Sequence, residues 1–352
     1  MVEGDAESGS ESDQPSDQLR ARAAESRTKL WLLLEADRRL VVAGLVALVL
    51  VTLLAAGSLL PAAEGTLRRS DSVDTLFQGL LTATITGVTL VLTLNQLVLS
   101  QELGAVGDQR ERMAGALDFR ADAADVIGAP VSPARPSQFL RALVQVAGRH
   151  ADALRDAVDE TSAAHDAVVD LTESLIGNAD RVAADLDGAQ FGEFDVLSAA
   201  LNFNYSWKIF AAQRIRERYD VSEEAGETLD RLVDTLELFG PAREHFKTLY
   251  FQWELINLSR GILAAALPAL LVSACMVAFF DPASYPGLLV PIVSLAATAA
   301  LLPFLVLLAY VLRIATVTKH TLSIGPFILR ETGQVDEVTW EDETPGAEAE
   351  SR

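Results

Sequence analysis

Half of the 352 residues are hydrophobic, yet acidic side chains outnumber basic ones 49 to 28 and leave a formal net charge of −21. With a mean hydropathy of +0.25, the acidic and apolar residues must be segregated along the chain. That charge balance argues against a nucleic-acid-binding surface, and the single cysteine, Cys275, excludes a disulfide framework.

The cations carry a second message. Only Lys29, Lys208, Lys247 and Lys319 are lysines, so 28 − 4 = 24 are arginines. Acidic excess with few lysines is the surface expected in a cytoplasm holding molar salt, where screening lengths fall to about 3 Å and hydrated carboxylates keep proteins soluble.

Residues 1–18 are too polar to bury anything and read as a disordered acidic tail, with no secretory signal expected. The N-terminal region 19–101 comes next, and in it the runs 40–63 and 75–101 contain no charged residue. Two more such runs lie at 261–280 and 283–312. About 20 apolar residues cross a bilayer core, so these are four expected membrane spans in two hairpins. The chain is therefore expected to be an all-α integral membrane protein.

Arg20, Arg22, Arg27, Lys29, Arg38 and Arg39 precede the first run. Arg110 and Arg112 follow the second, Lys247 and Arg260 precede the third, and Arg313 and Lys319 follow the fourth. The first connection holds only Arg68 and Arg69, and the second holds no cation. By the positive-inside rule both termini and the large middle segment are expected in the cytoplasm of a cell-membrane protein.

That middle segment, 102–260, holds 28 acidic and 16 basic residues, a net −12, and is expected to be a domain of long helices. Pro130, Pro133 and Pro136 break it, and Ser137 is placed to cap the next helix. Leu140, Leu143, Ala147, His150, Leu154, Ala157, Thr161, Ala164, Val168, Leu171 and Leu175 then alternate at spacings of three and four, predicting one coiled-coil-like seam ended by Gly177–Asn178. A second seam, Ala225, Leu229, Leu232, Leu236, Phe239, Phe246, Tyr250 and Trp253, leads into the third span, with a kink expected at Pro241. Between the seams, Phe191, Phe194, Leu197, Leu201, Phe203, Tyr205, Trp207 and Phe210 predict an aromatic-rich helical segment. The segment 313–335 is expected at the inner membrane surface, before an acidic tail, 336–352.

The second run is unusual. Thr75, Gly79, Thr82, Thr86, Thr89, Thr93, Gln96 and Ser100 recur every three or four residues, so they share one helix face through the whole membrane depth. Asn95 and Gln101 lie beside that stripe. Two readings stay open. Small and hydroxyl residues let helices approach closely. Alternatively Thr82, Thr86, Thr89, Thr93, Gln96 and Ser100 line a pore at the axis of a homo-oligomer, replacing ion hydration.

Enzyme signatures are not found. His150, His165, His245 and His320 are scattered, and no phosphate loop or nucleophile elbow is present. His150 reads as a packed seam residue and Cys275 as a small apolar one. Pro268, Pro286, Pro291 and Pro303 offer either hinges or static kinks filled by neighbours, and the static reading is preferred. No catalytic residue, metal or cofactor is expected. The candidate functions are a passive channel, or a non-conducting scaffold whose cytoplasmic helices bind a protein partner.

The stretch NQLVLSQELG (Asn95 to Gly104), followed by GDQRERM (Gly107 to Met113), resembles a junction in uncharacterised haloarchaeal multi-pass membrane proteins. That resemblance implies a membrane location and lineage, with no activity or catalytic residues to carry over. Two hairpins around a large helical insert are similar in architecture to bestrophin-type anion channels.

Overall fold

The computed structural model describes residue 31 and residues 36–60, 63–69, 71–190 and 194–321. The expected acidic tails 1–18 and 336–352, and 322–335 of the juxtamembrane segment, lie outside the described residues. Among those described, the chain is helical with no strand. In chain order the helices are α1 (Arg38–Leu59), α2 (Ala63–Arg69), α3 (Ser72–Glu102), α4 (Val106–Ile127), α5 (Pro136–Asp156), α6 (His165–Asp185), α7 (Phe194–Leu201), α8 (Tyr205–Arg218), α9 (Glu223–Phe279) and α10 (Leu289–Thr321).

Local chemistry sets many of these boundaries. The Asp37 carboxylate accepts the Arg39 N–H at 2.8 Å at the start of α1, and the Ser222 hydroxyl accepts the Ala225 N–H at 3.1 Å at the start of α9. Glu223 and Glu224 add acidic charge to that first turn, where the helix dipole favours it. Helix α4 stops at Gly128, whose φ of 73° lies in the left-handed region. Ser137 does not cap α5: Arg135 holds that place, and Pro136 takes the first helical position, where a missing N–H costs nothing. The last span begins at Leu289 rather than 283, because Pro282–Ser284 form a 3-10 turn and Gly287 adopts a φ of 77°.

Four helices, α1, α3, α9 and α10, are long and apolar enough to cross a membrane. Helix α9 carries 57 residues, about 85 Å at 1.5 Å per residue. It runs from the helical domain into its span and continues through both Pro241 and Pro268. Helix α10 is the most enclosed of the four and packs against α9, α1 and α3. Although α1 and α3 are joined through the short α2, their main partners differ, with α1 lying on α10 and α3 on α9. Small residues permit these approaches: a Cβ on Gly57 of α1 would overlap the Val290 side chain of α10. Val73, Phe77, Met276, Leu289, Val293, Ala297 and Ala300 form the buried centre between the spans.

The expected single seam over 140–175 is instead a helical hairpin. Helix α5 ends at Asp156 and α6 begins at His165, with the Ser162 hydroxyl accepting the Ala164 N–H at 3.2 Å in the turn. Arg141, near the start of α5, pairs with Asp187, just beyond the end of α6, so the helices are antiparallel. Gly177 and Asn178 sit inside α6, and Asn178 donates to the Asn202 carbonyl at 2.9 Å. The seam's apolar residues are still buried, because both helices turn them into one core with Leu229, Leu232, Leu236 and Phe239 of α9. Trp253 leaves the second seam and faces outward, as does Phe210 of the aromatic segment.

Candidate functional site

The periodicity of α3 places its polar stripe on one side, and the structure turns that side away from the other spans. Thr82, Thr86, Thr89, Thr93, Gln96 and Ser100 are all exposed, as are Thr75 and Gly79. The opposite side of α3 is the packed one, carrying Val73, Phe77, Thr84 and Val91. The other described helices therefore do not cover the stripe.

Each stripe threonine from 82 to 93 commits its hydroxyl to its own helix. Thr82 donates to the Gln78 carbonyl at 3.0 Å, and Thr86, Thr89 and Thr93 donate to the Thr82, Ile85 and Thr89 carbonyls at 2.9 Å each. With the protons used inward, the face presents methyl groups and oxygen lone pairs. Such a surface can pack closely against another helix or offer acceptor oxygens to a cation.

A second polar feature lies where the four spans meet the helical domain. It gathers Arg38 at the start of α1, Asn95 late in α3, Tyr250, Glu254 and Ser259 on α9, and Tyr310 and Arg313 on α10. The Tyr250 hydroxyl donates to Glu254 Oε1 at 2.7 Å, and Arg313 Nη1 lies 3.6 Å from the same oxygen. The Arg313 guanidinium also stands 5.0 Å from the ring centre of Phe194 on α7. Arg38 is within electrostatic range of both Arg313 and Glu254. Arg38, Glu254 and Arg313 are all buried, which is costly for charged groups unless they are mutually compensated. Phe194, Leu197, Leu201, Tyr250 and Val317 cover the cluster with apolar contacts from α7, α9 and α10.

This junction couples the domain to the spans. Among the described residues, no group of three or more His, Cys, Asp or Glu could hold a metal ion. Sequence reasoning used Arg38 and Arg313 only as markers of orientation and passed over Glu254. One signal was available: Glu254 is the only carboxylate between Glu244 and Asp281, beside aromatic residues and close to a span.

On the far side, Glu64 accepts the Gly287 N–H at 3.0 Å and an Arg68 N–H at 2.5 Å, tying α2 to the turn before α10. The Gly287 bond first, and then Arg68, hold the Glu64 carboxyl below the usual carboxylate range.

A family model described as "Family of unknown function (DUF7972)" matches residues 4–342. The chain belongs to that family. No curated protein and no solved structure matches it.

Proposed function

We propose that this member of the DUF7972 family is a membrane oligomer whose α3 stripes face one another around a common axis and line a passive pore. One observation carries the reading: the entire stripe, from Thr75 to Ser100, is left uncovered by the other described helices. A Gln96 amide on that face is poorly matched to lipid and better matched to a neighbouring copy or to water. Thr82, Thr86, Thr89, Thr93, Gln96 and Ser100 are then the pore-lining residues. No enzymatic activity, cofactor or nucleic-acid partner belongs to this reading.

The cations flanking the spans support two hairpins with the helical domain and both termini in the cytoplasm of the cell membrane. The acidic, lysine-poor composition supports a high-salt cytoplasm. A second reading, a non-conducting scaffold with a cytoplasmic protein partner, is favoured by the four threonine protons already bonded within the helix, since packing alone then explains the stripe.

Light scattering at high salt, combined with ion flux into vesicles, separates the two. A discrete ring that conducts, and that loses flux but not assembly in Thr89→Val/Thr93→Val, supports the pore. A ring without flux supports the scaffold. A monomer removes the pore altogether.

A further inference from the structure

The exposed face of α9 changes character before the helix reaches its charge-free run. Toward the helical domain that face shows Pro241, His245 and Thr248. From Trp253 onward it is apolar: Trp253 is 48% exposed and Ile256 49%, as open as Leu263 and Leu271 within the span. Trp253, Ile256, Leu263, Leu267 and Leu271 follow at spacings of three, seven, four and four, so they share one side of the helix. Arg260 falls inside that row and is exposed as well, with Gln252 and Asn257 half-buried at its borders.

The other spans expose apolar side chains at the same depth. Their relative heights are fixed by the Ser259–Asn95 bond, by the Glu254–Arg313 pair and by Arg38 near both of those charges. Within about one helical turn of these contacts, Leu40 of α1, Leu99 of α3 and Leu312 of α10 are all exposed. A largely apolar belt therefore surrounds the buried Arg38–Glu254–Arg313 junction. The exposed polar residues in it include Asp37, which caps α1, Gln96 and Ser100 of the α3 stripe, and two cations, Arg39 and Arg260.

Dimensions place this belt at the headgroups of a bilayer. The charge-free run 261–280 of α9 spans about 30 Å, the thickness of a hydrocarbon core. Trp253 and the exposed Phe279 of the same helix are 26 residues apart, about 39 Å, close to the 40–45 Å of a bilayer with its headgroups. Beyond Phe279, the exposed Tyr285 stacks on Phe280 with ring centres 5.6 Å apart, so aromatic rings stand at both edges of the span. Arg260 lies at the edge of the core. Side chains on a helix lean toward its N-terminus, so the Arg260 guanidinium reaches back toward the level of Ile256.

We infer that Trp253 and Arg260 of α9, with Arg39 of α1, hold the phospholipid headgroups of the leaflet nearest the helical domain, Arg260 contacting phosphate. Continuity and charge identify the occupant. The row that carries Trp253 and Arg260 is the same row that α9 turns outward along its span. Neither the Arg39 nor the Arg260 side chain has an ion-pair or hydrogen-bond partner among the described residues. In a chain of net charge −21, two exposed guanidiniums without a carboxylate suit an external anion, and phosphate is the anion a bilayer supplies at this depth. The buried junction then sits at headgroup level. This surface requires that the spans cross a membrane, but not that α3 lines a pore.

The test uses full-length protein in lipid nanodiscs at high salt. Trp31→Phe, Trp207→Phe and Trp340→Phe leave Trp253 as the one tryptophan, and a second protein keeps Trp207 of α8 instead. Lipid brominated near the glycerol end of its tails is expected to quench Trp253 at least threefold more strongly than Trp207. Equal quenching overturns the inference. So does a Trp253 that neither brominated lipid nor aqueous iodide reaches, because a second copy then covers this face. Native mass spectrometry next counts the phosphatidylglycerol retained by wild type, Arg260→Gln and Arg260→Lys. Arg260→Gln is expected to lower retention about threefold, and Arg260→Lys to keep most of it. Unchanged retention in Arg260→Gln overturns the phosphate contact, as does displacement of the lipid by inorganic phosphate, since the site then holds a free anion. Each of these failures leaves the α3 assembly standing, because scattering and flux report on a different face; loss of flux with this lipid contact intact removes only the pore.

Discussion

Ser259 on α9 donates its hydroxyl to Asn95 Oδ1 on α3 at 2.7 Å, joining residues 164 positions apart. The same hydroxyl lies 2.8 Å from the Leu255 carbonyl, so its one proton is shared between a local and a distant acceptor. Around it, Val91, Leu258 and Ile262 are buried together, and the bond is shielded from competing water. It fixes the height of the striped helix against the helix that carries the large domain.

A double-mutant cycle measures that link. Asn95→Ala and Ser259→Ala are each expected to destabilise the detergent-solubilised protein by about 1 kcal/mol, and the pair by little more than either alone. Unfolding midpoints of the four proteins check this. Additive losses would show that the two side chains act independently.

The junction beneath the spans should be more sensitive. Tyr250→Phe removes one hydrogen bond to a carboxylate and is expected to cost about 1.5–3 kcal/mol. Glu254→Ala removes the negative charge from between buried Arg38 and Arg313 and is expected to cost about 3–5 kcal/mol. The order of the two unfolding midpoints is the test, and a milder effect at Glu254 would contradict it.

Two glycines in helices should respond in opposite directions to alanine. A Cβ at Gly240 of α9 would lie 2.8 Å from Cε2 of Tyr205, whose ring is fixed between Phe239 and the Arg243 guanidinium. Gly240→Ala is therefore expected to destabilise by about 1–3 kcal/mol, outweighing its better helix propensity. At Gly177 of α6 the same Cβ meets open space, and Gly177→Ala is expected to stabilise by up to about 1 kcal/mol. Thermal unfolding of both variants decides whether the sign differs.

His150 supplies a pH dependence. Burial first, and then the positive charges of Arg231 and Arg149, lower its pKa from the ordinary 6.5. The folded protein thus binds this proton less readily than the unfolded chain. The stability it contributes is present above pH 6.5 and is lost as the pH falls through the lowered value. His150→Gln is expected to flatten the decline in unfolding midpoint below pH 6.5, measured at constant salt; an unchanged slope would assign the decline to other groups.

The apolar and polar patterns proved legible where they depended on near neighbours in the chain. Charge-free stretches located four helices long enough to cross a membrane, because hydropathy is a property of each segment by itself. A spacing of three and four put the threonines of α3 on one face, and the same spacing carried α9 from the domain into its span. It misled over 140–175. Leu154 and Ala164 are both buried, and the count of threes and fours continues through the turn between them as though the helix did. A repeat records which residues face a core, but it does not record whether the chain has reversed.

Sequence alone, then, determined the helical class, the four apolar segments and the side of α3 that is polar, since each comes from composition and helix geometry within one element. The tertiary structure decided that this polar side points outward and that the first turns of α4 go uncovered. It also brought Arg38, Glu254 and Arg313 to one buried place. Those outcomes depend on which helices pack together, and packing is settled by shape and burial between segments far apart in the chain.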